Sequence, residues 1–163
     1  SMGADYSAFK LPEGYEVRHF TVDLAEEFMK NNAFPPIAPY KKIEERILSR
    51  PDFMFFSEDF LDPEPEFSGK REIYREIWYI EKLDSLGYSP DLDPLSRRAI
   101  IREALNRGLK VVEYNFFGDP VREIAMGGYP PRNFRIVLDL LKDFGPFVVY
   151  DPQEWRVIPA DDL

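Results

Sequence analysis

Apolar residues fall along this chain in two rhythms, every second position in short runs and every third or fourth in longer ones. The alternation over residues 15–20, Tyr-Glu-Val-Arg-His-Phe, predicts a first strand. Thr21 then stands where a helix cap belongs. Val22, Ala25, Phe28 and Met29 give the helix that follows an inner face, with Asp23 in its first turn. Three prolines within residues 33–39 forbid a helix there and predict an extended connector. The stripe of Ile43, Ile47 and Leu48 predicts a second helix over residues 40–49, and residues 53–56 (Phe-Met-Phe-Phe) predict a second strand.

Residues 70–86 pull both ways. Their β-branched and aromatic content suits a strand. The spacing of Ile73, Ile77, Ile80 and Leu83, and the length up to Gly87, favour a helix, which is the reading taken. Asp93-Pro94 supplies a cap and a first-turn proline for a helix that Gly108 terminates, and residues 109–117 predict a central strand. Asp119-Pro120 repeats the cap-and-proline start, so a short helix is expected up to Gly127-Gly128. A further helix is expected over residues 131–144, closed by Gly145. Residues 147–150 and 155–158 flank the turn Asp151-Pro152-Gln153-Glu154 and predict a terminal β-hairpin. The order predicts an α+β single-domain layer fold: about six helices on a mixed sheet of about five strands, ending in that hairpin. Residues 1–163 are expected to form one domain, with 1–12 a flexible terminus that includes a tag scar, Ser1-Met2.

Composition narrows the chemistry. The 163 residues are 44% hydrophobic, enough for a substantial core. Without cysteine there is no disulfide scaffold, thiolate metal site or cysteine nucleophile. His19 is the only imidazole, and its place in an expected strand argues for a structural part rather than a catalytic one. No catalytic residue, metal site or cofactor is therefore assigned. A net charge of −9 argues against direct binding to nucleic acid or to an anionic membrane surface. No apolar run is long enough to span a bilayer, and the expected compartment is the cytoplasm. Residues 2–7 fit the template for N-myristoylation at Gly3, but no polybasic second signal follows.

The charge is uneven. Residues 1–66 hold 14 Asp+Glu against 7 Lys+Arg, a net of −7, and the remainder is close to neutral. The densest piece is the run 58–66, where acids alternate with Phe60 and Leu61 and Phe67 follows. Glu58, Asp59, Phe60, Asp62, Glu64, Glu66 and Phe67 are the candidate partner-binding residues, carboxylates for charge and rings for a desolvated anchor. Arg98 and Arg102, one helical turn apart, are a weaker candidate for holding an anion. Glu72 and Glu76, also one turn apart, are a carboxylate pair of the kind acid–base chemistry uses, although helix surfaces carry such pairs routinely.

By size, charge and missing catalytic groups the chain is similar to small acidic inhibitor proteins, such as the immunity proteins that neutralise bacterial toxins. The expectation is a non-catalytic protein that covers a basic, nuclease-like partner. Two alternatives stand beside it: a small carboxylate-dependent enzyme, and a domain that forms a homodimer through the edge of the final hairpin at Trp155 and Val157.

Overall fold

A computed structural model describes residues 5–55, 74–127 and 130–163 of the chain. Its centre is a seven-stranded antiparallel sheet with the order β2-β3-β4-β5-β1-β6-β7. The strands are β1 (Asp5–Lys10), β2 (Phe53–Phe55), β3 (Tyr74–Ile80), β4 (Val111–Phe117), β5 (Glu123–Gly127), β6 (Phe147–Asp151) and β7 (Arg156–Pro159). Four α-helices accompany them among the described residues: α1 (Val22–Lys30), α2 (Tyr40–Leu48), α3 (Pro94–Asn106) and α4 (Phe134–Leu140). The α+β class and the single domain agree with expectation, whereas the sheet is larger and wholly antiparallel rather than mixed.

Both faces of the sheet carry helices. On one, Ile43 and Ile47 of α2 and Phe134, Val137 and Leu138 of α4 pack on Tyr6, Ala8, Ile77, Tyr114, Phe116, Ile124, Met126 and Val149. The Tyr114 hydroxyl donates to the carbonyl of Asn133 at the start of α4. On the other face there are two separate clusters. Ala25, Leu24, Phe28 and Met29 of α1 cover Phe9, Val148, Tyr150 and Val157 at the β1-β6-β7 end. Ile101 and Ala104 of α3 cover Met54, Trp78, Ile80 and Val111 at the β2-β3-β4 end.

This two-sided burial explains the largest correction. Residues 74–80 are a strand, not part of a helix, because Ile77 belongs to the core on one face and Ile80 to the cluster on the other, both with no exposure. A strand buried on both faces loses its alternation, and apolar spacings of three and four then mimic a helix. A short 3₁₀ turn, Leu83–Leu86, follows it. The N-terminus corrects likewise. Asp5–Lys10, expected within a flexible tail, is an interior strand between β5 and β6. Residues 15–20, expected as a strand, hold only a 3₁₀ turn, Val17–His19, on which His19 lies exposed beside Glu16.

Asp119-Pro120 does not start a helix, since Glu123–Gly127 is β5. The Asp119 carboxylate instead accepts a hydrogen bond from Tyr40 N (2.9 Å), capping α2, whose own cap position is a proline with no side-chain acceptor. Residues 131–144 divide into two 3₁₀ turns around α4, so the expected single helix is shorter. Expected caps hold elsewhere. Thr21 accepts from Leu24 N at 3.2 Å and Asp93 from Ser96 N at 2.9 Å.

Candidate functional site

The helices α1 and α3 stand on the same side of the sheet but at opposite ends of it. Between them lie β4, β5 and β1, whose inward side chains complete the α2/α4 core while the alternate ones point to the α1/α3 side. Register fixes which residues meet there. Glu76 lies beside Asn115, Asn115 beside Ala125, Ala125 beside Ser7, and Ser7 beside Tyr150. A second row runs from Trp78 to Glu113, and Gly127 pairs with Asp5. Glu123 pairs with Phe117. Asp5, Glu76, Glu113 and Glu123 thus share one side of the sheet. Among the described residues no Lys or Arg of any strand points that way, because Arg75, which lies over the Tyr40 ring at 4.8 Å, and Lys10 belong to the opposite face.

None of these floor residues is buried, in contrast to the closed layer on the opposite face. The carboxylates are held by neutral donors. Trp78 Nε1 donates to Glu76 Oε2 at 2.6 Å, Ser7 Oγ to Glu123 Oε2 at 2.7 Å, and the Tyr150 hydroxyl to Glu26 Oε2 on α1 at 2.9 Å. Partial desolvation pushes the Glu113 carboxyl above its ordinary range, and the negative charge of Glu76, together with a hydrogen bond between the two groups, adds to the rise. Desolvation raises the Tyr150 hydroxyl as well, reinforced by its bond to Glu26. The Oδ1 atom of Asn115, at the centre of the floor, is buried without a hydrogen-bond partner. Such a strip of solvent-facing acids favours a cationic ligand, and a carboxyl raised above its ordinary range beside a second carboxyl has the makings of an acid–base pair.

The residues expected to bind a partner fare differently. Glu58, Asp59, Phe60, Asp62, Glu64, Glu66 and Phe67 all lie outside the described residues, as does Glu72. Glu76 meets Glu113 on the neighbouring strand. Arg98 and Arg102 do stand one turn apart on α3, Arg98 half-buried with its Nε unbonded and Arg102 exposed. Glu103, next to Arg102 in the chain, pairs with Arg107 at 3.1 Å. The hairpin edge is where expectation put it: β7 is an outermost strand, and Trp155 at its turn is 60% exposed, while Val157 packs toward α1.

The strip itself escaped sequence reading because its acids come from four separate strands. Alternation of acids with apolar residues, as in Glu113-Tyr114-Asn115-Phe116, is the local signal that could have found it. A cavity of about 620 Å³ lies apart from it, floored by Leu138 and Phe147 and rimmed by Arg18, Lys142, Asp161 and Asp162. Of the expected site residues that are described, neither Arg98 nor Arg102 lines that cavity. Among the described residues no helix is long and apolar enough to cross a membrane. Comparison of the chain with protein-family models, with curated proteins and with solved structures finds no match.

Proposed function

We propose that this chain is a non-catalytic acidic binding protein that covers a basic surface of a partner protein, in the manner of an inhibitor seated on a nuclease-like toxin. The observation that carries the reading is the strip of Asp5, Glu76, Glu113 and Glu123, which presents carboxylates and, among the described residues, no strand-borne cation on one side of the sheet. Carboxylates spaced along a surface stand in for the phosphates that such a partner binds, and they steer its approach. Trp78 and Tyr150 border the strip and supply contact area for anchoring. The run 58–66, outside the described residues, holds five further acids in the sequence.

The test uses two charge-neutralised proteins. One carries Asp5→Asn, Glu76→Gln, Glu113→Gln and Glu123→Gln, and the other carries Asp59→Asn, Asp62→Asn, Glu64→Gln and Glu66→Gln. A basic protein recovered on the immobilised wild-type chain, then purified, is expected to bind it in a salt-sensitive way and to bind the strip variant far more weakly. The loop variant measures what the 58–66 run adds. Equal affinity for all three proteins overturns the reading.

The Glu76–Glu113 pair favours a second reading, a carboxylate-dependent enzyme. That reading expects turnover in a mixture of small metabolites that is lost in Glu76→Gln and Glu113→Gln alike, and it fails if no component is consumed.

A further inference from the structure

The cavity beside α4 lies apart from the acidic strip, and what it binds does not depend on what the strip binds. Its volume of about 620 Å³ falls within the range of roughly 300–1,000 Å³ usual for small-molecule sites. Three parts of the chain wall it: the turn Val17–His19, α4 with the turn Lys142–Phe144 after it, and the turn Ala160–Asp162 that follows β7. Arg135 Nη1 donates to the Leu163 carbonyl at 3.0 Å and so ties α4 to the last of these. Gly145 lets the base form, since a Cβ there would stand 3.0 Å from the Phe147 ring.

The rim carries both signs of charge. Arg18 and Lys142 line it as cations, Asp161 and Asp162 as carboxylates. Arg135 and Asp139 line it too, but they lie 3.7 Å from each other, and Arg135 is committed to Leu163 as well. Among the described residues Arg18, Lys142, Asp161 and Asp162 enter no ion pair. Three cations against three carboxylates make a neutral wall in a chain of net charge −9. An anion there meets the repulsion of Asp161 and Asp162, and a cation that of Arg18 and Lys142. A ligand with both signs answers all four. Below the rim the lining is apolar: Leu138 and Phe147 at the base, with half-buried Val17, Pro159 and Ala160 around them.

We propose that this cavity binds a small zwitterion with an apolar body: a free apolar amino acid, or a peptide of about two or three residues with both ends free. The carboxylate of the ligand pairs with Arg18 and Lys142, its ammonium with Asp161 and Asp162, and its apolar side chain lies toward Leu138 and Phe147. Capture of both end charges in one site selects against the same residues inside a longer chain, where neither charge exists.

The experiment follows backbone amide shifts of the full-length chain by NMR as ligand is added. The probes are L-phenylalanine and the tripeptide Ala-Phe-Ala with free ends, each set against its N-acetylated and its C-amidated form. A free-ended probe is expected to shift the amides of Lys142, Phe147 and Ala160, and each blocked form to bind about tenfold more weakly. The tighter of the two free probes tells amino acid from peptide. Arg18→Gln with Lys142→Gln is expected to lose the preference for a free carboxylate and keep that for a free ammonium. Asp161→Asn with Asp162→Asn is expected to do the reverse. All four positions are exposed, so the fold tolerates these changes. Three results overturn the proposal: millimolar ligand that shifts none of these amides, blocked forms that bind as well as free ones, or preferences that survive both double variants.

Discussion

Arg156 Nε donates to Asp151 Oδ2 at 3.0 Å across the neck of the terminal hairpin, and Asp151 is the one fully buried charged residue described. Its other oxygen accepts from the backbone N–H of Gln153 and Glu154 at 3.1 and 3.2 Å, so a single carboxylate ties the turn to both strands. Trp155 completes the turn at φ +54°. Removing an acceptor that serves three donors leaves them unpaired, whereas removing the exposed half of the ion pair leaves two bonds intact. Asp151→Ala is therefore expected to cost about 2–4 kcal/mol and Arg156→Ala about 1 kcal/mol in urea unfolding. Equal costs would mean that the ion pair, not the turn, is what Asp151 supports.

A remote cap makes the second prediction. Asp119 serves α2 from 79 positions away, where Pro39 offers nothing. Asp119→Ala should destabilise by about 1 kcal/mol, as a local cap loss does, and Asp93→Ala should weaken the start of α3 in the same way. Hydrogen exchange separates them: Asp119→Ala should speed exchange in the first turn of α2 and leave α3 unchanged.

These two carboxylates show what sequence could and could not convey. Asp93 and Thr21 cap the helices they precede, because a cap that acts three residues away is written locally. Asp119 carries the same Asp-Pro signature but acts across the fold, so its position announced a helix that is not there. The hairpin was legible from Asp151-Pro152 for the same local reason. Residues 74–80 were not, since sheet pairing on both edges and helices on both faces decide their state, and neither is visible in a window of seven residues. The acidic strip was illegible twice over, resting on a register among four strands of which three, β1, β3 and β5, carry a local pattern that reads otherwise.

Ile77 and Ile80 turn that correction into a measurement. Each is fully buried, one in the α2/α4 core and the other beneath α3. Each substitution to Ala should cost about 2–5 kcal/mol. In a strand the two lie in different layers and share no cavity, so the double variant should lose the sum within about 0.5 kcal/mol. A coupling well above that would place both side chains in one cluster, as a helix would.

Glu113 links the candidate site to stability. Its carboxyl is raised above the ordinary glutamate value of 4.5, first by desolvation and then by Glu76, so the folded state holds this proton more tightly than the unfolded chain. The favourable contribution is complete below the ordinary value and is lost as pH rises through the raised one. Glu113→Gln keeps a neutral hydrogen-bonding group there and escapes that loss. The variant should match the wild type near pH 3.5 and exceed it near pH 7.5, by less than about 1 kcal/mol because the group faces solvent. Glu76→Gln removes the charge that opposes ionisation of Glu113 and should bring the titration of Glu113 back toward the ordinary range, read by carboxyl ¹³C shifts. A stability gain in Glu113→Gln that is the same at both pH values would show that folding does not raise the titration of Glu113. The raised Glu113 carboxyl gives up some stability at neutral pH, and a cationic partner bound over it, as proposed, should restore that stability by favouring the ionised form.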